Sequence, residues 1–150
     1  MKKIDSFTVN HQTMTTGLYV SRLDGDITTL DLRMRRPYIE DGLTHIEMHS
    51  LEHLLATALR NGTHANHVVY VGPMGCATGF YVLYQGLTKS EMLTDLIDTF
   101  KTVTTMDTMP GDSPIECGNN RTLDVGTGKD LASKYWAIIK DKVHFDNYPA

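Results

Sequence analysis

One stretch of helical periodicity in the middle of the chain constrains the fold more than any other feature of the sequence. Apolar residues recur there at intervals of three and four, which is the spacing of one face of an α-helix. They are Met48, Leu51, Leu54, Leu55, Ala58 and Leu59. Asn61-Gly62 supplies a helix stop. The pattern predicts an amphipathic helix from Met48 to this stop, packed by its apolar face against a core.

Two histidines lie on a flank of this predicted helix, away from the apolar stripe. His49 and His53 are one turn apart on the same side, so both imidazoles can reach one cation. Glu52 can act as a base near such a metal, as in zinc peptidases with either order of the motif. Two ordinary polar residues on an exposed face remain the alternative. His45 precedes the predicted helix start and is interpreted as a loop residue.

The flanking segments predict an α+β protein. Segments 6–9, 18–23 and 27–34 are rich in Thr, Val, Ile and Leu and predict two or three antiparallel strands, and further strands are predicted at 67–71 and 79–87. The capping-box sequence Thr88-Lys89-Ser90-Glu91 begins a second helix, and a last helix is predicted from Lys129. Strands grouped early, with helices interspersed later, indicate a small, mostly antiparallel sheet packed with about three to four helices.

Length and charge exclude several classes of protein. The chain has 150 residues, which fits a single domain over 1–150. The net charge of −4 is mixed along the sequence, so no basic stripe exists to bind nucleic acid. No apolar run approaches the roughly 18 residues that span a bilayer, and the start lacks a signal peptide's apolar stretch. We expect a cytoplasmic protein with neither nucleic acid nor membrane as a partner.

The two cysteines are interpreted as separate thiols. Without an export signal, a disulfide between Cys76 and Cys117 is not favoured. A thiolate with two imidazoles suits zinc or ferrous iron, which makes Cys117 a candidate third ligand. Cys76 is expected in a tight loop at a sheet edge. Either residue could equally be a small buried hydrophobe, the commoner role of a free cysteine.

Several motifs together resemble the S-ribosylhomocysteine lyase (LuxS) family, in residues and in spacing. They are His49-Ser50-Leu51-Glu52-His53, Pro73-Met74-Gly75-Cys76 with Thr78-Gly79-Phe80, and Cys117-Gly118. The segments 5–11 and Asp31-Leu32-Arg33 followed by Pro37 also resemble family blocks. The resemblance covers nearly the whole chain, and it implies a fold like that of the family and of related metallohydrolases.

The resemblance implies a metal-dependent carbon–sulfur lyase. His49, His53 and Cys117 would bind one Fe2+ per subunit, for which Zn2+ or Co2+ could substitute, while Cys76 and Glu52 would transfer protons. The implied reaction cleaves S-ribosyl-L-homocysteine to L-homocysteine and 4,5-dihydroxy-2,3-pentanedione, the precursor of the quorum-sensing signal autoinducer-2. It proceeds by carbonyl migration and β-elimination.

The resemblance also implies a homodimer with active sites at the subunit interface. Ser6, His11 and Arg33 would come from the partner chain and bind substrate. From the residues alone, Arg33 is interpreted as a surface charge and Ser6 as a turn residue. The chain departs from the family pattern at Tyr70 and Gly72, where aspartate and serine are usual, so substrate contacts there are in question.

Two rival interpretations of the sequence remain. Deformylases and inverted-motif metallopeptidases share the helix motif, but deformylases have the order His-Glu-x-x-His, and the peptidases are longer chains with a carboxylate as third ligand. Neither class explains the block around Cys76. The non-enzymatic alternative is a metal-binding regulatory or storage protein, or a degenerate homologue in which Tyr70 and Gly72 abolish substrate binding. The retained Cys76 and Glu52 argue against it.

Overall fold

A four-stranded antiparallel sheet with three α-helices on one face forms the fold. The computed structural model describes residues 1–150. The strands are β1 (Gly17–Asp24), β2 (Ile27–Arg33), β3 (Val68–Pro73) and β4 (Gly79–Gln85), in the order β1-β2-β4-β3. The helices are α1 (His45–Arg60), α2 (Lys89–Val103) and α3 (Val125–Ile139). The predicted α+β architecture is confirmed, and no helix has the length and apolar character required to cross a bilayer.

The helices cover the apolar face of the sheet. The register places Leu32 between Leu18 and Phe80, so these side chains share one face, and all three are fully buried. Leu30 and Val82 extend this face along the two central strands. The helices contribute the other half of the core with Leu51, Leu54, Leu55, Leu96, Phe100, Leu131 and Tyr135.

The opposite face of the sheet carries a buried ion pair. Asp31 and Arg33 alternate with the core residues of β2, and their side chains are only 2% and 3% exposed. The segment that follows α3, residues 141–150, crosses this face and pairs with β1 at Tyr19. Charged side chains are therefore enclosed on a face that sequence alternation alone would leave open to water.

Helix α1 begins three residues earlier than the apolar pattern predicts. Thr44 is its N-cap: the Glu47 backbone N–H donates to the Thr44 hydroxyl, and the Glu47 carboxylate accepts from the Thr44 N–H. The interpretation of His45 as a loop residue is therefore wrong, because this capping box makes it the first helical residue. Its exposed ring lies 5.7 Å, centroid to centroid, from that of His49.

Two of the two or three predicted early strands form, and segment 6–9 is not a strand. The chain forms a short 3-10 turn over Asp5–Phe7, in which the Thr8 hydroxyl and N–H both donate to the Asp5 carbonyl. These local hydrogen bonds compete with strand pairing, as short polar side chains often do. Phe7 is 69% exposed, so no buried face holds the segment against the sheet.

Helix α3 begins four residues before the predicted start at Lys129. Asp124 is the N-cap of this helix. Its carboxylate accepts from the backbone N–H and the hydroxyl of Thr127, and the helix begins at Val125. The remaining predicted strands and the second helix agree with the structure to within a few residues, which is the usual uncertainty of element ends.

Candidate active site

Helix α1 and the loop before α3 bring three potential metal ligands together. The nitrogen or sulfur ligand atoms of His49, His53 and Cys117 all lie within 4.8 Å of one another. The Cys117 sulfur is 3.4 Å from Nε2 of His49. Four-residue spacing on the helix places both imidazoles on one side, and the loop carries the thiol to them. The structure thus assembles the predicted ligand triad.

Each histidine is oriented by a hydrogen bond at Nδ1. Nδ1 of His53 lies 2.9 Å from the Pro110 carbonyl, which can only accept, so this nitrogen carries the proton. Nδ1 of His49 lies 2.7 Å from the Thr122 hydroxyl, which donates its own proton to the Asn119 carbonyl. In the neutral imidazoles, both Nε2 atoms are therefore available to a metal. Such outer contacts fix the tautomer of ligand histidines.

The surroundings of His49 favour its neutral imidazole. Burial, followed by the neighbouring His53, lowers the pKa of His49. The neutral form is the one that binds metals. Glu52 is half-buried on the same helix, next to His53 in sequence. The donor set of two nitrogens and one sulfur, with no fourth protein ligand, fits zinc or ferrous iron at an open, catalytic type of site.

The loop that carries Cys117 is anchored by hydrogen bonds. The Cys117 N–H donates to the Ser113 carbonyl, and the Asn119 N–H lies 3.4 Å from the Cys117 sulfur. A backbone donor at this position stabilises negative charge on sulfur. The loop is tied to α1 because the Asp124 N–H donates to the Ser50 hydroxyl.

Cys76 lies in the turn between β3 and β4, where it is exposed. The following residue, Ala77, has a positive φ of 59°, which is uncommon for a residue other than glycine. Hydrogen bonds hold this conformation, because Ala77 donates to Met74 and accepts from Leu43 through its backbone. The prediction that a turn presents Cys76 is confirmed.

The Cys76 thiol is held by a buried arginine. Its sulfur lies 3.0 Å from the Thr78 hydroxyl and 3.9 Å from Nη1 of Arg33, and Arg33 also donates to Thr78. Burial opposes the charge of Arg33, but attraction to Asp31 prevails, so the pKa of Arg33 is raised. A guanidinium next to sulfur stabilises the thiolate. The interpretation of Arg33 as a surface charge is wrong, because residues distant in sequence cover this face of the sheet.

The other predicted substrate residues lie on the Cys76 side of the molecule. His11 lines, together with Cys76 and Thr78, an open cavity of about 250 Å³. Ser6 and His11 also border a much smaller cavity beside Arg33. Cys76 contacts Arg33 of β2 and Thr78, the residue before β4, whereas the metal-ligand triad contacts α1 and the loop before α3. No hydrogen bond joins the two clusters within one chain.

The fold and these two clusters define an α+β protein with a candidate metal site and a separate exposed thiol. The family described as S-ribosylhomocysteinase (LuxS) matches residues 4–145 of the chain. A protein of Desulfotalea psychrophila named S-ribosylhomocysteine lyase is 41% identical over the full length of both chains. One of Clostridium beijerinckii, with the same name, is 44% identical over 90% of this chain and 89% of its own. The chain belongs to the S-ribosylhomocysteinase (LuxS) family.

Proposed function

We propose that the chain is an S-ribosylhomocysteine lyase. It cleaves S-ribosyl-L-homocysteine to L-homocysteine and 4,5-dihydroxy-2,3-pentanedione. Membership of the family and the shared name of relatives at 41% and 44% identity support the proposal. The observation that carries it is the combination of an open metal-ligand triad with a thiol held by Arg33. A peptidase would need the triad but would have no use for the second cluster.

The reaction needs proton transfer and no net oxidation. The sugar carbonyl migrates by enolisation until the carbon–sulfur bond is β to it, and removal of one more proton then expels the homocysteine sulfur. When bound by His49, His53 and Cys117, a divalent metal would act as a Lewis acid toward the carbonyl oxygen. Cys76, as a thiolate stabilised by Arg33, accepts a proton from a sugar carbon and returns it to the next. Glu52 carries protons to and from the sugar oxygens.

We propose Fe2+ as the metal, one per subunit, with Zn2+ or Co2+ as substitutes. The mixed nitrogen and sulfur donors support a borderline metal over magnesium or calcium, which prefer oxygen ligands. The unpaired state of both thiols fits a reducing compartment, and we propose the cytoplasm as the location. The pentanedione product would then be the precursor of autoinducer-2.

We also propose a homodimer in which each active site lies between subunits. Within one chain, the cluster around Cys76 and the metal-ligand triad have no hydrogen bond in common. In a two-fold dimer, one surface of each chain can face a different surface of its partner, and this contact then occurs twice. Such a dimer can place the triad of one chain opposite the thiol of the other. Ser6, His11 and Arg33 would then accompany Cys76 from the partner side and bind substrate.

The activity is tested by the release of a free thiol. Purified protein is loaded with ferrous iron or cobalt under anaerobic conditions, given S-ribosyl-L-homocysteine, and assayed with a thiol-reactive dye. We expect thiol to be released in proportion to enzyme and bound metal. Metal-loaded protein that releases no thiol above background would contradict the lyase assignment.

A further inference from the structure

The segment that follows α3 is fixed against β1. The Asp146 backbone N–H donates to the Leu18 carbonyl, and the Asp146 carboxylate accepts from the Leu18 N–H at 2.9 Å. The same carboxylate forms an ion pair of 2.8 Å with Lys142. These contacts set the position of the two residues that come next, and so of Tyr148.

Tyr148 reaches the buried ion pair of β2. Its ring stacks on that of Tyr19, with centroids 4.4 Å apart and planes within 8°. Its hydroxyl donates to Oδ2 of Asp31 at 2.7 Å, the same oxygen that accepts from Arg33 at 2.7 Å. The second oxygen of Asp31 is buried without a hydrogen-bond partner. Tyr148 therefore supplies one of only two hydrogen bonds to this carboxylate.

The contacts continue from Asp31 to the thiol. Arg33 is held by Asp31 at Nη2 and by Thr78 at Nη1, while its Nε is buried without a partner. The position of the guanidinium is thus set at its two ends, one of which is the carboxylate that Tyr148 contacts. Nη1 of Arg33 lies 3.9 Å from the Cys76 sulfur.

We propose that Tyr148 is a positioning residue for Cys76, acting through Asp31 and Arg33. Its hydroxyl compensates part of the Asp31 charge, which leaves more of the Arg33 charge available to the thiolate, and it fixes the carboxylate that orients the guanidinium. The inference rests on the proposed role of Cys76 as a proton carrier. Burial, followed by Asp31, raises the pKa of Tyr148, so its hydroxyl keeps its proton at neutral pH.

Other titratable groups also face this cluster. Tyr81 on β4 lies close enough to Asp31, Arg33 and Cys76 for its charge to influence theirs. His11 and Glu40 line the cavity that Cys76 borders. A change confined to the Tyr148 hydroxyl leaves all of these side chains in place, so a comparison of pH profiles isolates its contribution.

The test uses a matched pair of tyrosine-to-phenylalanine variants. Tyr148→Phe keeps the stacked ring and removes the hydroxyl that donates to Asp31. Tyr19→Phe removes the other hydroxyl of the same stack, which donates to the Thr15 carbonyl at 2.9 Å and does not touch Asp31. Cobalt-loaded protein is treated with iodoacetamide across a range of pH, and alkylation of Cys76 and of Cys117 is measured separately by peptide mass spectrometry.

We expect Tyr148→Phe to slow alkylation of Cys76 about three- to tenfold near neutral pH, with the pH profile displaced upward. Tyr19→Phe should keep the wild-type profile, and bound cobalt should be unchanged in both variants. Coincident profiles for wild-type protein and Tyr148→Phe would overturn the inference, as would equal displacement in both variants. Alkylation does not require turnover. If the pH profile is displaced but the lyase assay fails, the result contradicts the proposed function and leaves the inference about Tyr148 standing.

Discussion

At the level of single side chains, the two cysteines have different neighbours. Cys117 lies beside an imidazole nitrogen, and Cys76 lies beside a guanidinium. We predict that Cys117→Ala loses bound metal, whereas Cys76→Ala keeps it and loses turnover. Metal content is measured by elemental analysis, and turnover by thiol release. Metal loss in both variants would require a new assignment of the ligands.

The contact between Thr122 and His49 yields a second prediction. Thr122→Val removes the oxygen that fixes the His49 ring, so the metal dissociation constant should rise about tenfold. Thr105→Val is the control, because its hydroxyl donates to a carbonyl near the exposed end of α2. The constants are measured by competition with a chelator. Equal values for the two variants would show that the Thr122 hydroxyl does not support the ligand.

Residues differ in how far the sequence predicts their role. His49 and His53 are predictable because helical periodicity fixes which side they share, and the structure brings the predicted Cys117 to them. The burial of Arg33 is not predictable in this way, because the residues that cover its ion pair with Asp31 include Tyr148, which is 115 positions later than Arg33 in the chain. The alternation of Asp31 and Arg33 does place both side chains on one face, but it carries no sign of what lies above them.

At the level of secondary-structure elements, two helices begin with the same device. Thr44 with Glu47 caps α1, and Thr88 with Glu91 caps α2, with matching hydrogen-bond distances. We predict that Thr44→Ala and Thr88→Ala each lower the free energy of unfolding by about 1 kcal/mol, measured in urea. Only the first should weaken metal binding, since α1 carries two of the ligands. A loss of affinity in Thr88→Ala would point to a global effect.

The elements were predictable where local signals agree with packing. The second helix has both a capping box and an apolar stripe, and the turn signal Asp24-Gly25 stands where β1 ends and the hairpin to β2 turns. In α1 the apolar stripe begins at Met48, whereas the capping box of Thr44 and Glu47 starts the helix almost one turn earlier. The segment 6–9 has β-branched residues but no buried partner, so its local hydrogen bonds determine its conformation.

At the level of the whole molecule, the proposed dimer makes a quantitative prediction. If each active site takes its triad from one chain and Cys76 from the other, a mixed dimer of Cys76→Ala and His53→Ala has one intact site. Half of the dimers are mixed after random exchange, so about a quarter of wild-type turnover should return. The variants are mixed, unfolded and refolded together, then assayed. A complete site within one chain would leave the mixture inactive.

The close fit of Tyr70 against Gly72 couples the side chains that these two positions can carry. The Tyr70 hydroxyl fills the space that a Cβ at position 72 would need. A chain with serine at position 72 therefore has no room for this tyrosine rotamer, whereas a chain with glycine there accepts either aspartate or tyrosine at position 70. A residue larger than glycine at position 72 would therefore make the exposed Tyr70 side chain rotate away from this position.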